Sequence, residues 1–184
     1  MTLNRTIPAR ILRVNHGGER GAIRIYTAQV AAAKVRCPDL VPFLEGALSH
    51  EREHLAAFGA LMPSRAAKPC GAMWIWTAGG AVLGVVTGVL GRNAILACTE
   101  AVERTVHRHR HDQLRYLRGR DAEMAAVVET VQRQELEHLE EATRRGSGGI
   151  IGKLFDPIIS AAAETLIFIS TRGDSFRLAR ELAG

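Results

Sequence analysis

A chain of 184 residues, with 24 lysines and arginines against 19 acidic residues and a net charge of +5, suits one domain with a substantial core, and its basic surface favours an anionic partner, either membrane phospholipid or nucleic acid. Three cysteines, Cys37, Cys70 and Cys98, form no C-x-x-C pair and leave an odd count, which argues against a disulfide framework and for a reducing compartment. The N-terminal stretch MTLNRTIPARILRV has no apolar core and reads as neither a secretory signal nor a transit peptide.

Pro8 opens a helical pattern that continues to about Lys34 and is stopped by Pro38. A second runs on to Leu61 and is closed by Met62, Pro63 and Ser64, so the two predict a helical hairpin. Asn93 to Leu117 and Asp121 to Arg145, the latter ended by Gly146-Ser147-Gly148-Gly149, predict a second hairpin. The expected fold is all-α: a four-helix bundle of two antiparallel hairpins, with an apolar crossover helix and a C-terminal helix, in a single domain over residues 1–184.

Each hairpin carries a Glu-x-x-His step, Glu51/His54 and Glu135/His138, and each step is preceded by another glutamate, Glu19 and Glu103, at the same separation of 32 positions. Residues three apart share a helix face, so each step aims an oxygen and a nitrogen at one point. Four carboxylates and two imidazoles are the ligand set of di-iron and di-manganese carboxylate bundles, and four negative charges balance two divalent cations. Neighbours at helical spacing support an inward orientation: Leu44, Ala47, Leu48, Leu55 and Phe58 for Glu51/His54; Val128, Val131, Leu139 and Ala142 for Glu135/His138; Leu12, Ala22, Ile23, Tyr26 and Val30 for Glu19. Glu53, Glu137, Glu140 and Glu141 fall on other faces and read as surface. Gly17, Gly18 and Gly21 bracket Glu19 and suggest close approach of another backbone or a ligand, with a simple kink as the alternative.

Pro69 to Gly91 is a run of twenty-three residues without a charge. It is long and apolar enough to span a membrane, yet a crossing would put the two hairpins on opposite sides of a bilayer and separate the six ligands. The expectation is therefore a helix that dips into one leaflet with Trp74 and Trp76 at the interface, a buried crossover being the alternative. Gly80, Gly84 and Gly88 have the small-x-x-x-small spacing of close helix packing. Residues 150–169 form a second apolar stretch, interrupted by Lys153, Asp156, Pro157 and Glu164, expected to pack beside the crossover.

RVNHGGERGAIRIY (13–26), HEREHL (50–55), ACTEAVE (97–103) and QELEHLEE (134–141) resemble the motifs of the demethoxyubiquinone hydroxylases of ubiquinone biosynthesis, and the likeness extends over essentially the whole chain. The resemblance implies a ferritin-like fold with Glu19, Glu51, His54, Glu103, Glu135 and His138 holding two Fe ions. It implies a monooxygenase that hydroxylates the ring of a polyprenylated demethoxyubiquinol with O2. It also implies a peripheral membrane protein on the cytoplasmic face of a bacterial inner membrane, or the matrix side of the mitochondrial one, with an apolar surface that admits the polyprenyl tail. Nucleic acid is not an expected partner; a homo-oligomer or other proteins of ubiquinone biosynthesis are.

His109 matches a family histidine by spacing, but the next position, a tyrosine in relatives, is Arg110. His109 and His16, which stands three before Glu19, are candidates for proton delivery or for orienting ligands. Arg20, His107 and His111 read as basic helix surface, and Glu100 receives no role. Two other classes share the ligand set: an iron-oxidising or storage bundle, and a di-iron tRNA-modifying hydroxylase whose basic charge would contact phosphates. Neither needs the apolar segment.

Overall fold

The computed structural model describes residues 6–146, 150–171 and Arg180, and of residues 150–156 and 170–171 only the helical backbone. Among these there is no strand. Six helices follow one another: α1 (Ile7–Arg36), α2 (Val41–Leu61), α3 (Met73–Leu90), α4 (Arg92–Leu117), α5 (Ala122–Arg144) and α6 (Ile150–Thr171). Pro8 stands in the first turn of α1, where its missing N–H costs nothing. Asp121 caps α5 by accepting a hydrogen bond from the Met124 amide at 3.0 Å. Gly146, with φ of 102°, follows the end of α5 as expected; the rest of that stop signal, residues 147–149, lies outside the described residues.

The order of packing shows the hairpins to be antiparallel. At one end of the bundle Ile11 and Leu12 of α1 meet Phe58 and Leu61 of α2, Leu114 and Leu117 of α4, and Met124 and Val128 of α5. At the other, Tyr26, Val30 and Ala33 meet Leu40, Leu44, Leu48, Ile95, Leu96 and Ala142. Hydrophobic burial closes the bundle above and below, and the polar ligand residues fall in the layer between.

The crossover is shorter than the uncharged run, 18 residues from Met73 to Leu90, and Gly91 with φ of 89° turns the chain straight into α4. It lies along α1, and its glycines are the reason it can. A Cβ at Gly80 would stand 2.3 Å from the Gly21 carbonyl oxygen, at Gly84 2.5 Å from that of Ile25, and at Gly88 2.8 Å from Ala32 Cβ. The outer side of α3 is bare: Val82 is 64% exposed and Trp74 71%. Trp76 departs from the expected interface position, being only 7% exposed. Its indole fills the notch left by Gly17, where a Cβ would lie 2.7 Å from Nε1, and by Gly21, at 3.3 Å from Cε3. Side chains two apart on a helix point about 200° apart, so Trp74 and Trp76 could not both face outward. Helix α6 packs on α4 and touches α3 where Leu166 meets Gly79, at 3.2 Å from where a Cβ would be, as expected for its apolar stretch.

Candidate metal centre

Glu19 of α1, Glu51 and His54 of α2, Glu103 of α4, and Glu135 and His138 of α5 come together in the middle layer, each 5% exposed or less. Their ligand atoms form two overlapping groups, Glu19/Glu51/His54/Glu135 and Glu51/Glu103/His138, each within 4.8 Å. Glu51 belongs to both: Oε2 is 3.8 Å from His54 Nδ1 and Oε1 is 3.7 Å from His138 Nδ1.

The donor set fits a pair of metal ions, and the fit rests on orphaned atoms. Glu51 Oε1, His54 Nδ1 and His138 Nδ1 are buried with no hydrogen-bond partner, although buried polar groups are almost always paired. The opposite ring nitrogens are occupied. His54 Nε2 donates to Gln134 Oε1 at 2.8 Å, and His138 Nε2 stands 3.0 Å from Nδ1 of His50, whose ring stacks on it at 5.2 Å between centroids. Holding the proton on Nε2 leaves each Nδ1 lone pair facing carboxylate oxygens, the arrangement a cation needs. Carboxylate and imidazole donors suit iron or manganese.

Two side chains seven residues beyond the α1 and α4 glutamates complete the layer. Tyr26 donates from its hydroxyl to Glu103 Oε1 at 2.7 Å, and burial followed by the Glu103 and Glu51 charges keeps its proton on well above the usual tyrosine range. Arg110, only 1% exposed, pairs through Nη2 with Glu19 Oε1 and through Nη1 with Glu135 Oε2 and lies over the Phe58 ring at 5.8 Å. Burial pushes the Glu19 carboxyl up, but the Arg110 guanidinium, together with the neighbouring Glu51 and His54, outweighs it and brings it down to about 2. Glu51 is displaced the other way, raised by burial and by the neighbouring Glu19 and Glu103. Without metal, one proton therefore stays on Glu51, shared with an ionised Glu19.

A cavity of about 480 Å³ ends on this layer. Glu19, Glu51, Glu103, Glu135 and Arg110 form its inner end; Val14, Ile25, Leu83, Val102, Val106, Ala163, Leu166 and Ile167 form its walls, and the exposed Val82 and Val86 lie at its outer side. His109 lines the cavity with Nε2 3.1 Å from both carboxylate oxygens of Glu164. His16 is not in the lining; it lies against α2, its Cδ2 3.9 Å from where a Cβ at Gly59 would be, and burial lowers its pKa. Glu100 pairs with Arg104, Arg20 is half-buried and His111 exposed. The sequence reading assigned no role to His50, Gln134, Tyr26 or Arg110. Two signals were available: Gln134 and His50 directly precede the α5 and α2 glutamates, and Tyr26 and Arg110 stand at a spacing of two helical turns from Glu19 and Glu103.

A family model described as ubiquinone biosynthesis protein COQ7 matches residues 6–170. The chain is 35% identical over 164 residues to the 3-demethoxyubiquinol 3-hydroxylase of Rhodospirillum rubrum, covering 89% of this chain and 77% of that one. It is 33% identical over 174 residues to the mitochondrial NADPH-dependent 3-demethoxyubiquinone 3-hydroxylase of Dictyostelium discoideum, and 31% over 175 to that of Rattus norvegicus, with 92% of this chain and about 80% of theirs covered. With a match over nearly its whole length and an all-α, ferritin-like bundle around paired glutamates and histidines, the chain belongs to the COQ7 family of ubiquinone biosynthesis proteins.

Proposed function

We propose that the chain is an O2-dependent di-iron monooxygenase, a 3-demethoxyubiquinol 3-hydroxylase acting on the ring of a polyprenylated demethoxyubiquinol, and that it works as one ferritin-like domain. The observation that carries this reading is the cavity: apolar walls suited to an isoprenoid tail, ending on four glutamates that share a cluster with His54 and His138 in a donor set that suits iron. Glu19, Glu51, His54, Glu103, Glu135 and His138 would hold the two ions, with Glu51 shared between them. Bound iron supplies the electrons for O2 activation, which zinc in the same ligands could not.

The rest is the chain's own work. Gln134 and His50 hold the imidazoles with Nδ1 forward, and Tyr26 holds Glu103 while keeping its own proton. The valine and leucine walls exclude water from the ring. His109, tied to Glu164 beside the cavity, exchanges protons with the ring oxygens; His16 steadies the turn of α1 that carries Glu19.

The protein sits on a lipid surface without crossing it, on the cytoplasmic side of a bacterial inner membrane or its mitochondrial equivalent. Support comes from the exposed valines of α3 beside the cavity and from α3 lying along α1, which keeps both hairpins in one bundle. Other ubiquinone-biosynthesis proteins or a second copy are the expected protein partners. An iron-storage or tRNA-modifying bundle would have no use for an apolar cavity opening beside exposed valines. The test is turnover of a short-tailed demethoxyubiquinol by iron-loaded, reduced protein under isotopically labelled O2. One labelled oxygen in the product is expected; product without label, or no product from protein holding two irons, would refute the reaction.

A further inference from the structure

The contacts of the centre repeat about an approximate twofold relating the hairpins. Glu19, Glu51 and His54 correspond to Glu103, Glu135 and His138, all 84 positions apart, and the same offset takes Tyr26 to Arg110. Both of these side chains reach across to the other hairpin's glutamate, Tyr26 to Glu103 and Arg110 to Glu19. The partners are thus equivalent in place and unequal in charge. Arg110 also reaches Glu135 Oε2, and its Nε is buried without a hydrogen-bond partner. The ligand groups differ to match: Glu51 joins both, while its counterpart Glu135 joins only the group containing Glu19 and His54.

Resting on the metal-centre reading above, we propose that Arg110 is a resident cation of the centre that makes its two metal positions unequal. The position built on Glu51, Glu103 and His138 fills first. The position built on Glu19, Glu135 and His54 fills second, because its ion must draw both carboxylates away from the guanidinium and then remain beside an undischarged positive charge. The guanidinium carries only donors and no acceptor, so it offers the ion no ligand in exchange for the carboxylates it holds. With all four carboxylates ionised, Arg110 leaves the centre at −1 with one divalent ion and +1 with two. A neutral residue at position 110 would give −2 and 0, favouring the second ion.

The test is Mn2+ binding to the full chain, followed by the electron paramagnetic resonance signal of free Mn2+ and by competition with a chelator, alongside thermal melts of metal-free protein. Wild type should bind in two steps, the second at least tenfold weaker. Arg110→Tyr, which restores the twofold, should tighten the second step at least tenfold and lower the metal-free melting temperature. Arg110→Lys, with the charge but without the two-pronged fork, should fall between. If Arg110→Tyr folds only with Mn2+ present, the need for a cation is shown directly. An unchanged separation of steps in Arg110→Tyr, or loss of fold in both variants even with Mn2+, overturns the proposal and makes Arg110 a packing strut. Absence of Mn2+ binding by wild type and Arg110→Tyr alike overturns the metal centre itself.

Discussion

His50 Nδ1 lies 3.0 Å from His138 Nε2, while Gln134 Oε1 lies 2.8 Å from His54 Nε2, so each ligand-type histidine is held by the residue just before the other hairpin's glutamate. The two hairpins are fastened to each other through the very rings that face the metal positions. An imidazole so held cannot rotate its Nδ1 away from the carboxylates, and the ordering is done before any ion arrives.

Removing either support should loosen metal more than fold. Gln134→Ala and His50→Ala are each expected to weaken metal binding by about 10–100-fold, with a much smaller change in metal-free melting, because neither side chain lies in the apolar clusters. Metal content after dialysis against a graded chelator series measures it. Unchanged retention in both would mean that the rings are held by packing alone.

Glu51 should give the metal-stripped protein a pH dependence of a definite sign. Its carboxyl is raised by burial and by Glu19 and Glu103, whereas in the unfolded chain a glutamate titrates near about 4.3. Above that value the unfolded state has released a proton that the folded state retains, so stability should fall as pH rises, by up to about 1.4 kcal/mol per pH unit from this group. Glu51→Gln cannot titrate and should flatten that part of the profile. Because the residue serves both ligand groups, the same variant should lose metal from both positions. Denaturant melts from pH 5 to 8 and metal analysis check the two halves; a wild-type profile that rises over that range contradicts the first.

Asp121 supplies the opposite sign. Hydrogen bonds from Arg65 hold its carboxyl below the ordinary aspartate range, so its contribution is present above about pH 4 and is lost as pH falls through the lowered value. Asp121→Ala removes the α5 cap as well and should cost ~1–2 kcal/mol near neutrality. Equal melting of variant and wild type at pH 7 would remove the cap from the account.

The glycines of the α1–α3 contact should not be interchangeable with Gly18. A methyl at Gly80 meets a backbone oxygen that cannot move without parting the helices, and Gly80→Ala is expected to cost ~1–3 kcal/mol. Gly18 has nothing within 4 Å of its would-be Cβ, so Gly18→Ala should be neutral or stabilising by up to ~1 kcal/mol. Urea unfolding of both variants makes the comparison.

Charge at the outer side of the cavity should discriminate between substrates by tail length. Val82→Asp or Val86→Asp should lower turnover of a long-tailed substrate much more than of a short-tailed analogue, with iron content unchanged, when both are assayed in detergent. Equal loss for the two substrates points to a folding defect. No loss for either leaves α3 as a structural crossover.

The hairpins and the convergence of six ligand-type residues were legible because helix periodicity and spacing report which side chains share a face. The position of Trp76 was not, since uniform apolarity hides which side of a helix meets protein, and only the glycine row, read together with Gly17 and Gly21, marks it. Arg110 was concealed by composition: it sits in an alternating histidine–arginine run in which Arg108 and His111 face solvent and His107 and His109 are half-buried, while the seven-residue step from Glu103 sends it inward. His50 was missed because its decisive contact crosses between hairpins, and its place directly before Glu51 does not say which ring it meets.

Reciprocal fastening also bears on descent. A lone hairpin of this kind offers one glutamate, one Glu-x-x-His step and no hold on its own imidazole, whereas two copies meeting about a twofold axis would supply everything but asymmetry. A self-pairing ancestor and a later tandem duplication would leave such a trace, with α3 as the tether that made the pairing permanent. On that genealogy positions 26 and 110 began as one residue, and their present difference dates from after the halves were joined, when a change in one no longer had to be made in both.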